Sequence, residues 1–392
     1  MKRIYMDNSA TTKIDKKVFK AMTPYLKEDF GNASSLHWFG EKSYEAISKA
    51  RLQVADFLGC NILEVFFTNS ATLSNNFAIL GLLKAAQKNG ITKPHIITSS
   101  IEHPAVLETI NQLEATGEIE ATYLKVNKDG IVNFKDVEGS LKENTILVSI
   151  MYANNEIGTI QPIEEIGKIV VNFRASKQYP IFHTDAVQAV NYLNCNVDKL
   201  NVDLLTLSGH KIYGPKGIGV LYKRKKVAIE PIIFGGHQER GIMPGTENTA
   251  AIAGMGEAIT AISNFKLQIA NIKRLRNKLI DGMLNSIPNT FLNGSKENRL
   301  PNNVNISFNG VEGESILMAL NEKGVAVSTG SACASGNLDP SHVLTALGVG
   351  IERAHSSIRF SLGKYNTEKE IDYVLKILPG IIEKLRKISP LK

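Results

Sequence analysis

Cysteine is scarce. The 392 residues contain three, Cys60, Cys195 and Cys333, too far apart to suggest a disulfide framework or a CxxC metal site. No apolar run reaches the roughly 18 residues of a membrane span. The opening Met1-Lys2-Arg3-Ile4-Tyr5-Met6-Asp7 has no apolar stretch of the kind that directs secretion. A strong excess of one charge is missing too: 45 Lys and Arg against 38 Asp and Glu leave +7. The densest basic run, Lys223-Arg224-Lys225-Lys226, sits between apolar segments at 219–222 and 227–229. It reads as a solvated turn, not as a nucleic-acid patch, and no basic stripe with interleaved aromatics occurs elsewhere. These absences point to a soluble, cytoplasmic protein that partners neither membrane nor nucleic acid. What is present is ordinary globular composition, 43% apolar and 21% charged, with length for two or three domains at about 150 residues each.

From about 60 to 235, short β-branched runs at 64–68, 95–98, 121–124, 145–150, 180–184 and 203–207 alternate with amphipathic stretches such as 74–89, 104–116 and 162–178. Near-continuous apolar strands separated by helices predict an α/β fold with a mostly parallel sheet covered on both faces. From about 246 to 289 the pattern turns helical. After Pro288 come a strand at 303–308, helices near 312–322 and 367–387, and a Gly/Ser-rich loop between them. The partition this predicts is a large domain over 16–260 and a smaller α+β domain over 261–392 that collects residues 1–15.

In an open α/β sheet, ligands bind beyond the carboxyl ends of the strands. The first of those ends reads Asn69-Ser70-Ala71-Thr72-Leu73, small hydroxyl residues opening a helix and suited to a phosphate, or equally to a plain cap. The others carry Glu102-His103, Asn154-Asn155-Glu156, Asp185-Ala186-Val187-Gln188 and Ser208-Gly209-His210-Lys211. Each residue has an ordinary reading: His103 as a capping neighbour, Asp185 as an N-cap, Asn155 as turn chemistry, Lys211 as a surface amine. Together they gather a phosphate cup, an aromatic ring, an amide, a carboxylate and an amine at one sheet edge. Pyridoxal 5'-phosphate needs that set: an amine to condense with its aldehyde, a carboxylate to keep the ring nitrogen protonated, and a cup for the phosphate. Lys211 and Asp185 would supply the first two. His103 could stack on the ring, Gln188 and Asn155 could reach its phenolic oxygen, and Ala71, Thr72, Ser208 and His210 could surround the phosphate.

Those segments, with Asp7-Asn8-Ser9-Ala10-Thr11-Thr12, resemble the NifS/IscS group of cysteine desulfurases, in the class V branch of fold-type I pyridoxal-phosphate enzymes. The likeness runs from Tyr5 to Leu391 with the motifs in order. It implies that Cys333, in the polar loop Ser328-Thr329-Gly330-Ser331-Ala332-Cys333-Ala334-Ser335-Gly336, is the nucleophile. The small residues around it suggest a mobile backbone and an exposed thiol, and the loop looks like the longer NifS/IscS type. The resemblance also implies that Arg359 grips the α-carboxylate of L-cysteine, that Asn32 lines the same pocket, and that Thr246 reaches the partner's phosphate in a homodimer. By that likeness the cysteine α-proton moves through Lys211 and the Cys333 thiolate takes the substrate sulfur. Alanine then leaves, and the Cys333 persulfide goes to an acceptor protein, an iron–sulfur scaffold or a thiolation enzyme.

Four positions depart from the group's usual text. Ser70 and Leu73 stand where it reads Gly and Glu, Met243 where it reads Arg, and Ala33 where it reads Pro. Leu73 and Met243 remove opposite charges near the expected phosphate. The chain stops at Lys392, where housekeeping relatives carry a tail used in docking their scaffold. Three other readings share these residues: a selenocysteine lyase, an aminotransferase (disfavoured by Cys333 in its loop), and a non-enzymatic sulfur-carrier or binding member.

Overall fold

The apolar runs become strands because both of their faces are covered, which leaves no position along them for an alternating polar residue. The computed structural model describes residues 3–263, 265–329 and 340–389. Its strands are β1 (Ile4–Tyr5), β2 (Val65–Thr68), β3 (His95–Ser99), β4 (Glu120–Leu124), β5 (Thr145–Ser149), β6 (Ile181–Asp185), β7 (Leu204–Ser208), β8 (Gly219–Lys223), β9 (Thr290–Leu292), β10 (Asn303–Phe308), β11 (Val325–Ala326), β12 (Ser328–Thr329) and β13 (Ser357–Ser361). Seven form one sheet in the order β2-β8-β7-β6-β5-β3-β4. Its pairs are parallel except where β8 runs antiparallel between β2 and β7. A four-stranded antiparallel sheet, β12-β13-β10-β9, follows in the C-terminal part. The N-terminal β1 pairs in parallel with β11.

One apolar cluster covers a face of the large sheet through Ile97, Val148, Phe182 and Leu205. It continues past Met255, Ile259 and Leu275 of the long helices to Val304, Ile306 and Phe360 of the small sheet. A second cluster, with Phe77, Leu82, Val106 and Ile110, packs the opposite face. A small third one seats Val343 and Leu344 against Ile101, Met151 and Ile157. Among the described residues no helix is long and apolar enough to cross a membrane.

Helix boundaries differ from the sequence reading for local reasons. The helix expected over 74–89 starts at Ala71, because the Ser70 hydroxyl accepts the Leu73 N–H at 3.2 Å, and it passes through a π-type turn at Phe77–Gly81. The one expected over 162–178 stops at Arg174, where Ala175 turns to φ +48°. The basic run is only half a solvated turn. Lys223 Nζ donates back to Val227 O at 2.8 Å, Arg224 pairs with Asp198 at 2.9 Å, and Lys225 and Lys226 alone face solvent. Leu205 is fully buried on β7, beside the strand that carries Asp185. Leu205→Ala is expected to cost about 2–5 kcal/mol, read as a lower urea midpoint with an unchanged slope.

Candidate active site

Strands β2, β3, β5, β6 and β7 run in one direction, so their carboxyl ends meet at one edge of the sheet. The antiparallel β8 begins there. A cavity of about 450 Å³ opens at this edge, and Ala71, Thr72, His103, Asn155, Asp185, Gln188, Ser208, His210, Lys211 and Arg359 all line it.

Lys211 closes a short helical turn, Gly209–Lys211, directly after β7. The turn needs glycine at its first position: a Cβ on Gly209 would stand 2.5 Å from Ile218 Cγ2 and 2.9 Å from Pro215 O. Lys211 Nζ donates to Ser9 O at 2.5 Å and Ala10 O at 2.8 Å, so the N-terminal segment forms part of the cavity wall. Gln188 Nε2 donates to the same Ser9 carbonyl at 3.1 Å.

Asp185 ends β6. Its Oδ1 accepts the Val187 N–H at 3.0 Å, as a local cap would, while Oδ2 accepts from Asn75 Nδ2 at 2.8 Å. The carboxylate is thus fixed from two sides. His103 is the N-cap of the helix Pro104–Ala115, and its Nδ1 accepts the Ala105 N–H at 3.1 Å. That bond leaves Nε2 to carry the proton of the neutral ring. Burial holds the His103 pKa below its ordinary value; the Lys211 charge adds to this and the Asp185 charge opposes it. His210 is pushed down to about 4, first by burial and then by Lys211 and Lys216. Both rings are therefore neutral at pH 7.

On the small sheet, Arg359 is 2% exposed. Its Nη1 donates to Asn155 O at 3.1 Å and its Nη2 to Asp7 Oδ1 at 2.9 Å. Two buried carboxyls stand behind the site. Glu102 Oε1 accepts from Ser99 Oγ at 2.6 Å and from Met151 N at 2.9 Å, joining the loops after β3 and β5, and burial pushes its pKa up to about 8. Glu156 meets Ser341 Oγ at 2.5 Å, and burial raises it to about 7.

Two residues named from the sequence are not in this cavity. Asn32 is exposed in the loop before the helix Trp38–Leu58, its Oδ1 accepting the Ser34 N–H at 2.9 Å. Thr246 lines a separate hollow of about 100 Å³ with Phe67, Glu239 and Met243. Cys333 lies outside the described residues. Asn75 and Lys216 line the cavity without having been singled out, and Ser9, Ala10 and Thr11, quoted only as part of the 7–12 segment, line it too. Asn75 had a signal, since it follows Thr72 by three positions and so shares its helix face. The carbonyls of Ser9 and Ala10 had none, because a backbone group leaves no mark in a sequence. Leu73 and Met243 both pack against the second apolar cluster, so burial stands where charge was expected.

The family model described as Aminotransferase class-V matches residues 4–374. The chain belongs to that family. A relative named cysteine desulfurase IscS, from Dictyoglomus turgidum, is 52% identical over 395 residues, covering 100% of this chain and 98% of its own. A solved structure titled NifS-like protein superposes with TM-score 0.91 at 38% identity over 98% of this chain and 100% of that one. Another, titled SspA in complex with cysteine, gives TM-score 0.79 at 36% identity over 93% and 100%.

Class-V aminotransferases are pyridoxal-phosphate enzymes, and the donor set fits that group. An amine, a two-sided carboxylate and a neutral imidazole share one cavity with the hydroxyls of Thr72 and Ser208. Asn75 Oδ1 is buried there with no partner among the described residues.

Glu102 and Glu156 bind a proton more tightly folded than unfolded. Their stabilising contribution is complete below the ordinary carboxylate range and fades as pH rises through about 7 and 8. Glu102→Gln is expected to flatten the decline in stability between pH 5 and 8.5, by about 1 kcal/mol or more relative to wild type. Urea midpoints across that range measure it, and parallel curves would contradict it.

Proposed function

We propose that this chain is a cytoplasmic pyridoxal-phosphate-dependent cysteine desulfurase. It converts L-cysteine to L-alanine and holds the sulfur as a persulfide on Cys333 for transfer to an acceptor protein. The observation that carries the reading is the shared cavity of Lys211, Asp185 and His103 with the buried cation Arg359 in its lining. The relatives' names, and a similar protein solved with cysteine, support the substrate.

Bound pyridoxal phosphate supplies an aldehyde for covalent attachment and a conjugated ring that takes up charge when the α-proton leaves. Lys211 would provide the attaching amine and would carry the proton to and from the substrate Cα. Asp185, braced by Asn75 and Val187, would hold the ring nitrogen. His103, neutral and protonated on Nε2, would cover the ring and is placed to move a proton. Thr72, Ser208 and His210 would hold the phosphate, and Thr246 would reach the site of the partner in a homodimer. Arg359 would take the substrate carboxylate, with Asn155 beside it.

The sulfur step balances without an outside oxidant. The Cys333 thiolate attacks the substrate sulfur, the S–Cβ bond breaks with its electron pair going to carbon, and a proton completes alanine. The thiol is left as a persulfide. The two sheets divide the labour: residues 16–260 bind the cofactor, and residues 261–392 with 1–15 bring Arg359 and the Cys333 segment.

Wild type is expected to release alanine and sulfide from L-cysteine in the presence of a thiol reductant. Lys211→Ala should lower alanine formation by at least about 10³-fold. Cys333→Ala should abolish the extra sulfur mass otherwise found on the Cys333 tryptic peptide. An unmodified Cys333 peptide beside normal alanine output would overturn the persulfide assignment, and faster alanine release from selenocysteine would move the substrate to that amino acid.

A further inference from the structure

A guanidinium as deeply buried as that of Arg359 normally has its fork of donors fully engaged. This one does not. Nη1 is taken by Asn155 O and Nη2 by Asp7 Oδ1, while Nε is buried with no partner among the described residues. Arg359 also lines the cavity, so its guanidinium, with Nε closed off inside the protein, faces the place where a ligand would lie through its other atoms.

Asp7 is held where it is by the strand that carries Arg359. It bridges to Ser361 of β13; Ser361 N donates to Met6 O at 2.7 Å, Asn8 N to Ser361 O at 3.1 Å, and Ser9 N to Ser361 Oγ at 2.8 Å. Residues 359 and 361 share a face of the strand, and Tyr5 Oη donates to the Asp7 carbonyl at 2.9 Å. The Asp7 carboxylate is therefore set opposite the guanidinium by backbone pairing, not by the reach of a long side chain. The other carboxyl that feels Arg359, Glu156, is occupied by the Ser341 hydroxyl.

The geometry points to Asp7 as a positioning residue for Arg359. It aims the guanidinium at the cavity and offsets its charge, so that one amino-acid carboxylate is bound at the cavity side of the guanidinium and is released again. This rests on the desulfurase reading only in taking Arg359 as the carboxylate site. Without Asp7, the same buried cation would hold substrate and product carboxylates alike more tightly.

The test uses 3-mercaptopropionate, which has the thiol and the carboxylate but no amine, and so engages the cation without covalent attachment. Its dissociation constant is measured by calorimetry on the cofactor-loaded protein. Asp7→Asn keeps an oxygen that can accept from Nη2 and removes the charge; Asp7→Ser removes the charge with a smaller side chain. Either variant is expected to bind the probe on the order of ten-fold tighter, with KM for cysteine falling in parallel. Adding Arg359→Gln should abolish the gain. Binding that is unchanged or weaker in both variants, or a gain that survives Arg359→Gln, overturns the proposal. Alanine formation by wild type reports on the desulfurase reading separately, because the probe needs only the cation and no sulfur transfer.

Discussion

Five parallel-running strands, β2, β3, β5, β6 and β7, are buried along their whole length and stop at the same edge. The site depends on that abrupt end. Within the sheet β3, β5, β6 and β7 pair with a neighbour on each side, and that pairing stops where the chain leaves the strands. Side chains placed there are anchored on rigid backbone, yet they face a cavity instead of a core. The single antiparallel strand adds to the same edge from the other direction, which is how Lys216 and Ile218 reach the lining.

Charge in the cavity is rationed by burial. The imidazoles of His103 and His210 are kept neutral, and Glu102 and Glu156 hold their protons far above the ordinary carboxylate range. The charges that remain are placed with partners. Asp185 has Asn75 and the Val187 N–H, Lys211 has two carbonyls of the N-terminal segment, and Arg359 has Asp7. A polar site on a dry sheet is stable only under that arrangement, since a lone buried charge is far more costly than a neutral group.

The parts of this that were legible in the sequence are the ones written in side chains with a period or a motif. The buried strands showed as unbroken apolar runs because both faces are covered. His103, Asp185 and Lys211 showed because each stands just past such a run, and the likeness to the desulfurases grouped them. The two-residue strands β1, β11 and β12 are too short for any pattern. β8 was hidden by the basic run that shares its last residue, since Lys223 places its ammonium nitrogen over the Phe66 ring, 5.8 Å from the centroid, and donates it to Val227 O instead of to water. Glu102, between an apolar residue and a histidine, reads as a surface acid until its burial is known. Asp7 gains meaning only from a partner 352 positions away.

That separation bears on how the protein is made. The groups that hold Lys211 come from residues 9 and 10, and the segment offering them is fixed by Ser361, near the far end of the chain. A ribosome exposes residues in order, at about 5–20 per second. Residues 6–9 therefore wait for Ser361, made 352 residues after Ser9, although His210 and Lys211, the partners of Thr12 and Ala10, emerge far earlier. The large sheet has all of its strands by then, whereas the pocket at its edge is finished last, when residues 6–9 meet Ser361 beside it.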